Sequence, residues 1–149
     1  MDYRVGQIGR VVVARLDDGE DFWQEIKQLV VAERIRGGWL HILGGIRQAA
    51  VVTGPREPVV PPDPVWRHLD GSREVLGFGS IAWEGDEPRI HLHAALGLHG
   101  ETLTGCVRKD TTVYLVLEVC IVEVVGIDLG RPWQEALQFS RLEFGMKSP

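Results

Sequence analysis

One short segment, HLHAALGLHGETLTGC (91–106), carries three side chains of the types that bind transition metals. His91 and His93 are two positions apart, and Cys106 follows after a glycine-marked turn. Imidazole binds zinc, copper, nickel and iron, whereas thiolate favours zinc or copper. Two histidines and one cysteine match the ligand count of catalytic zinc sites, in which water or substrate takes the fourth position. The segment therefore predicts a metal site if the fold brings these side chains together.

A hairpin would bring them together. If GLHGE (97–101) is a tight turn centred between Leu98 and His99, His91 lies opposite Cys106 and His93 opposite Thr104. Residues i and i+2 of a strand share a face, and directly opposed Cβ atoms are about 4.5–5.5 Å apart. A slip of one residue would move the cysteine to the other face. The alternative is a solvated histidine pair beside a cysteine that acts as a small core hydrophobe.

The first half of the chain predicts the elements that support this hairpin. GRVVVARL (9–16) is typical of a strand, and apolar residues at helical spacing predict an amphipathic helix over 22–35. Glycines in RGG (36–38) would end that helix. WLHILGG and IRQAAVV form either two strands or one strand bent at Gly44 and Gly45. GPREPVVPPDP (54–64) predicts a stiff surface loop, because proline cannot donate to a central ladder.

The second half predicts strands. They are REVLGFGSIAW, RIHLHAAL, TLTGCV and, after a turn at RKD (108–110), the long TTVYLVLEVCIVEVV (111–125). RPWQEAL (131–137) would form a turn or short helix, followed by an extended QFSRLEF (138–144). Together the elements predict one α+β domain over 1–149, with a mainly antiparallel sheet and one principal helix near the N-terminus.

The long strand from Thr112 to Val125 is apolar on both faces. In a small antiparallel domain one face of the sheet usually meets water. The helix covers only part of one face, so the second face needs another cover. A partner subunit is a reasonable cover, and we therefore expect a homo-oligomer.

Bulk composition excludes several classes of function. A net charge of −5 in 149 residues argues against binding to polyanions driven by overall charge. Two cysteines and a start without a hydrophobic signal core indicate a cytoplasmic setting. The longest apolar run is interrupted by Glu118 and Glu123, so no membrane partner is expected.

Several segments together resemble the plant and prokaryote conserved domain (PPC, also written PCC). The segment 14–51 is similar to the opening of that domain, with an RL-then-GED stretch before the helix. GSREVL (71–76) resembles the plant GRFEIL signature, with Arg73 in place of the aromatic residue. PRIHLHAAL (88–96) resembles its HxH strand, and VYLVLEV (113–119) the long strand that follows. TGC (104–106) stands where many members have Gly-Gly-His.

The resemblance implies a compact α+β fold that assembles as a homotrimer. It also implies zinc at the HxH pair and a later histidine, which correspond here to His91, His93 and Cys106. Because cysteine replaces the histidine, the site is either a softer zinc site or one that has lost its third ligand. The stand-alone prokaryotic members provide the expected function: a zinc-binding protein whose biochemical role is unassigned.

DNA association is one alternative, because plant members carry the domain after an AT-hook. The chain offers only GRP (130–132), flanked by Asp128 and Trp133 rather than by the basic residues that a minor-groove hook needs. In that alternative the protein is a regulatory interaction module in which the metal is structural or absent. A loop leading into a short helix explains GRP better.

A metal-dependent hydrolase is the other alternative, and it needs a second group that moves protons. The candidates are Glu74, His41, Glu118 and His99. His99 is expected at a turn tip, and His41, between apolar residues, is expected to be a hydrogen-bonded core histidine. The two glutamates suit structural hydrogen bonds as well as catalysis, so the catalytic residues are unknown.

Overall fold

One helix and nine strands make up the computed structural model, which describes residues 1–145. The helix is α1 (Phe22–Ala32), and the long strands are β1 (Gln7–Asp17), β2 (Gly38–Pro55), β3 (Pro64–Glu84), β4 (Glu87–Leu98) and β5 (Glu101–Val125). Four two-residue strands follow: β6 (Leu129–Gly130), β7 (Trp133–Gln134), β8 (Phe139–Ser140) and β9 (Glu143–Phe144). The last four residues of the predicted domain lie outside the described residues.

The long strands pair into one antiparallel sheet. Its order is β1-β5-β2-β3, and β4 pairs with both β3 and β5. The strands β2, β3, β4 and β5 therefore close into a ring. A single parallel bridge joins β3 to β6, and β7 pairs with β8 as a separate small hairpin. These pairings confirm the predicted mainly antiparallel sheet with one short helix.

The helix is fixed at both ends by local contacts. The Asp21 carboxylate accepts a hydrogen bond of 2.8 Å from the Gln24 backbone N–H, which is a typical N-cap. Phe22, Ile26 and Val30 are fully buried. Within residues 1–145, no helix is long and apolar enough to cross a membrane.

The helix ends earlier than predicted and without a glycine cap. Arg34 takes the left-handed conformation (φ 54°), and the Ile35 N–H donates to the Val30 carbonyl at 3.0 Å. This is the Schellman pattern, with arginine in the position that glycine usually fills. Gly38 instead allows close backbone approach, because a Cβ there would lie 2.8 Å from the Val122 carbonyl oxygen.

At two places the sequence suggests a strand break or a turn, and at both the strand continues with a local bend. At Gly44 and Gly45 the register between β2 and β5 shifts, and Gly44 has φ 142°, so the alternative of one bent strand is confirmed. The predicted turn at 108–110 is wrong. Strand β2 pairs with β5 on both sides of that segment, so β5 continues through it, with Asp110 in a left-handed conformation (φ 53°).

The two faces of the sheet differ in their covering. The inner face packs against α1 and buries residues such as Leu117, Val119 and Ile121. We call the opposite side the outer face, and its exposed apolar residues are Val11 (60% exposed), Val13 (77%), Trp39 (41%), Leu43 (56%), Leu76 (66%) and Phe78 (52%). The strand pairings place these residues side by side. Both faces are therefore apolar, as the sequence predicts for β5.

Candidate metal centre

The β4–β5 hairpin carries the three predicted ligands, in a register that differs from the prediction. Its two-residue turn is His99–Gly100, with φ values of 51° and 87°, and Leu98 pairs with Glu101. Positive φ at both central residues matches the twist of a hairpin. Because the turn lies one residue later than expected, His93 rather than His91 lies opposite Cys106. A shift of two residues keeps every side chain on its face, so the ligand set survives.

His91, His93 and Cys106 come together. Their ligand atoms all lie within 4.8 Å of one another. The two imidazole rings are 4.9 Å apart between centroids and stand almost perpendicular, at 88°. Exposure decreases from His93, which is exposed, through His91, which is half-buried, to Cys106, which is 4% exposed. The cluster is thus open to solvent on the His93 side and closed behind the thiol.

The surroundings of His91 keep its imidazole neutral. Burial, followed by the positive charge of Arg131 and then His93 and Arg108, lowers the pKa of His91 from 6.5 to about 4. A neutral imidazole has a free lone pair for a metal ion. At neutral pH this side chain is therefore ready to bind without first losing a proton.

Cys106, unlike His91, must lose a proton before it can bind a metal ion. Burial raises the pKa of its thiol, although the positive charges of Arg108 and Arg131 oppose that rise. Thiolate rather than thiol is the metal ligand. A metal ion must therefore displace a proton from Cys106, so binding at this site is coupled to proton release.

The donor set fits zinc. Nitrogen and sulfur donors at about 2.0–2.3 Å are typical of tetrahedral zinc, which sets ligand atoms about 3.3–3.8 Å apart. The observed separations of up to 4.8 Å need only small side-chain rotations to reach that geometry. Three donors also leave the fourth tetrahedral position open.

Two arginines complete the surroundings, and sequence reasoning missed both. Arg131 Nη2 donates to the Ser80 hydroxyl at 2.8 Å, and Ser80 lies opposite His91 on β3. Arg108 is two residues after Cys106, a spacing that shares one face of a strand and could have been noticed. Arg131 reaches the site through the bridge between Trp83 on β3 and Gly130 on β6, for which the local sequence carries no signal.

None of the four proton-transfer candidates lines the groove around the cluster. Glu74 and His99 lie towards the turn end of the hairpin, and Glu118 is on the exposed side of β5. The expectation that His41 is a core histidine is wrong. It is exposed on the outer face and packs edge-on against Phe78, with the two ring centroids 4.9 Å apart. Acidic groups among the described groove residues are limited to Asp21 and Asp110.

GRP (130–132) does not form a hook. Gly130 belongs to β6, and Arg131 is 8% exposed, with its backbone N–H donating to the Trp83 carbonyl at 2.8 Å. RPWQEAL contains strand β7 and a turn rather than a helix. A guanidinium held in this way is not available to a DNA minor groove.

Solved structures from other organisms share this fold. A metal-containing protein from Archaeoglobus fulgidus aligns with a TM-score of 0.83 and 21% identity, over 96% of this chain and 99% of that one. A PPC protein from Pyrococcus horikoshii aligns with a TM-score of 0.78 and 21% identity, over 98% and 100%. A predicted DNA-binding protein from Ralstonia eutropha JMP134 aligns with a TM-score of 0.73 and 22% identity, over 88% and 89%.

The sequence itself matches a family model. No protein with a curated description matches the chain. The model of the Plants and Prokaryotes Conserved (PCC) domain matches residues 3–125, which include both strands of the candidate metal centre. The chain therefore belongs to the PCC domain family.

Proposed function

We propose that this PCC-domain protein binds one zinc ion per chain through His91, His93 and Cys106. The observation that carries the proposal is the convergence of the three ligand atoms within 4.8 Å on one hairpin. The low pKa of His91 supports it, because that imidazole is neutral and free to bind at physiological pH. A solved relative from Archaeoglobus fulgidus is described as metal-containing, which agrees with the proposal.

The three side chains have different roles in holding the ion. Cys106 supplies the anionic donor from the buried side, and the two imidazoles supply neutral donors from β4. Bound zinc would supply Lewis acidity at an open fourth position. Because none of the four sequence-derived proton-transfer candidates lines the groove, we assign binding rather than a defined reaction to this site.

The test is zinc content in protein purified without chelator or histidine tag. We expect about one zinc per chain for the wild type, as for a three-ligand site. Cys106→Ala should lose zinc, whereas the matched control Cys120→Ala should keep it, because Cys120 is outside the cluster. Wild-type protein that carries no zinc and takes none up when it is added would contradict the proposal.

We further propose that the outer face is the interface of a homotrimer. Exposed apolar residues on neighbouring strands, with Val13 77% and Leu76 66% exposed, are typical of a surface covered by another subunit. Native mass spectrometry should give three times the 16.6 kDa of one chain. Val13→Glu should dissociate the assembly, since it places a charge in the interface. The control Val59→Glu changes an exposed valine (53%) in the β2–β3 loop and should not. A wild-type monomer would contradict this part.

DNA association is a second candidate, favoured by one observation. The groove beside the cluster is lined by four exposed basic residues, besides buried Arg131, and by two acidic ones, although the chain as a whole is acidic. Its solved relative from Ralstonia eutropha is described as a predicted DNA-binding protein. Binding to AT-rich duplex that weakens steeply with salt would support this candidate. Absence of such binding at low salt would rule it out.

A further inference from the structure

A broad groove runs past the candidate metal centre and has a volume of about 1030 Å³. Its basic residues are Lys27, Arg89, Arg108, Lys109 and Arg131. Arg89 is already paired with Glu84, because its Nε donates a hydrogen bond of 2.8 Å to Glu84 Oε2. The other four have no ion-pair partner within 4.0 Å among the described residues. The groove therefore carries uncompensated positive charge.

Arg131 is the most unusual of these residues. It is 8% exposed, and its Nε is fully buried without a hydrogen-bond partner in residues 1–145. Within the described part of the chain, its one side-chain hydrogen bond goes to the neutral Ser80 hydroxyl. A buried charge is costly unless it is paired, and a guanidinium is always charged. The side chain thus has the properties of an arginine whose counter-charge comes from outside the chain.

We infer that the groove binds a small molecule carrying a carboxylate or phosphate, with Arg131 as its counter-charge beside the metal. This inference rests on the proposed zinc site, because the zinc–thiolate pair would add one more positive charge. Arginine suits such groups, since its planar fork matches the geometry of both oxyanions. Arg108, on the same side of β5 as Cys106, adds a second positive charge at the mouth of the groove.

The other walls indicate the rest of the ligand. Trp23, Trp66, Trp133 and Phe139 line the same groove. Aromatic walls with a few polar groups are typical of small-molecule sites. The burial of Arg131 also favours a terminal anionic group on a small molecule over a duplex phosphate, which remains at the surface of its helix. The ligand class is therefore a small organic oxyanion with an apolar body.

Cobalt(II)-loaded protein allows anion binding to be measured at the metal. Phosphate, acetate and benzoate are titrated separately while the visible cobalt bands are recorded. We expect saturable changes below about 10 mM, with benzoate tighter than acetate because of the aromatic walls. Arg131→Met should weaken every anion about 10-fold or more, as expected for a lost charge-assisted hydrogen bond. Its cobalt affinity should stay within about 3-fold, since the Arg131 side chain hydrogen-bonds to Ser80 rather than to a ligand.

Two further variants keep the test decisive. Arg67→Met removes the same charge from an exposed position outside the groove and should change nothing. If Arg131→Met does not fold, the exposed Arg108→Met replaces it and should weaken the anions about 3-fold or more.

The outcomes separate this inference from the zinc proposal. Anions that bind Arg131→Met as well as wild type, or that do not bind cobalt-loaded wild type at all, overturn the inference and leave the metal site standing. Anion binding by calorimetry that depends on Arg131 in a protein that takes up no metal overturns the zinc proposal instead. Arg131-dependent binding of duplex DNA, without any small anion, would show that the occupant is a nucleic acid and that the inference is wrong.

Discussion

Two regions of this molecule place a histidine opposite a cysteine on neighbouring strands. In the candidate metal centre His93 lies opposite Cys106, and on the outer face His41 lies opposite Cys120. Only the first pair has a third ligand nearby, because His91 is two residues from His93 on the same strand. Among residues 1–145, His91, His93 and Cys106 are the one group of three such side chains close enough to share an ion.

The surroundings of the two pairs also differ. The His41 ring stands against Phe78, and Cys120 lies opposite Val13 on β1, so the second pair is set in an apolar face. The first pair lies in a groove with buried Arg131 beside it. Ligand number and charged surroundings, rather than residue type or cross-strand pairing, distinguish the proposed metal site from the proposed interface.

The largest expected effect comes from removing a histidine from each pair. His91→Ala should weaken zinc binding about 1,000-fold or more, because loss of a residue that only hydrogen-bonds to a ligand already costs 10–100-fold. His41→Ala should leave zinc affinity within about 2-fold, since that ring is not among the ligands. Competition with a zinc-binding dye measures both, and equal losses from the two variants would abolish the distinction.

A smaller effect is expected on the stability of metal-free protein. His91 has a pKa of about 4 when folded and 6.5 as its ordinary value, so the unfolded chain binds the extra proton between these pH values. At fixed protein concentration, the contribution of His91 to stability should therefore be lost as pH decreases from 6.5 to 4, by about 2 kcal/mol after solvent screening of this half-buried group. Urea midpoints across this range give the measurement. His91→Gln should lose the dependence; His41→Gln, its control on the outer face, should keep it.

The next effect is the pH dependence of zinc affinity, which follows from proton release at Cys106. Because burial raises the pKa of this thiol, it is protonated at neutral pH in the metal-free protein. Zinc affinity should therefore fall about 10-fold for each unit of pH decrease between about pH 7.5 and 6.5. Cys106→His should make this slope much shallower, whereas Cys120→Ala should leave it unchanged. A wild-type affinity independent of pH over this range is incompatible with a thiolate ligand.

The smallest effect should follow from exchanging the cysteines for histidine. Cys106→His introduces the imidazole donor that the family resemblance implies at this position, and its zinc affinity at pH 7.5 should stay within about 10-fold of wild type. Cys120→His would give only a two-histidine pair on the outer face and should add no second zinc. Zinc stoichiometry by mass spectrometry tests both; a second equivalent in Cys120→His would mean that two ligands suffice here.

Much of the fold could be predicted because the local signals agree with the tertiary structure. The helix start at Asp21, the antiparallel strands and the apolar outer face all follow from spacing and residue type. The continuation of β5 through 108–110 could not be predicted, because these polar residues form a bulge only through pairing with β2. The helix cap at Arg34 could not be predicted either, because glycine is the usual sequence signal for a left-handed cap and arginine is not.

The candidate site also has a part that the sequence predicts and a part that it does not. His91, His93 and Cys106 were found because a hairpin makes neighbours of residues close in sequence, and the error of two residues in register left their face unchanged. Arg131 was missed because it directly follows β6, 25 residues after Cys106, and is placed by a parallel bridge to β3. Groups brought in by long-range pairing leave no periodic signal near the ligands.

The most direct test of the difference between the two pairs is the cobalt(II) spectrum of four proteins: wild type, Cys106→Ala, Cys106→His and Cys120→Ala. A thiolate bound to cobalt gives an intense charge-transfer band in the near ultraviolet. We predict this band in wild type and Cys120→Ala, and its absence in both Cys106 variants. A band that persists in Cys106→Ala and disappears in Cys120→Ala would contradict the assignment of Cys106 as the metal ligand.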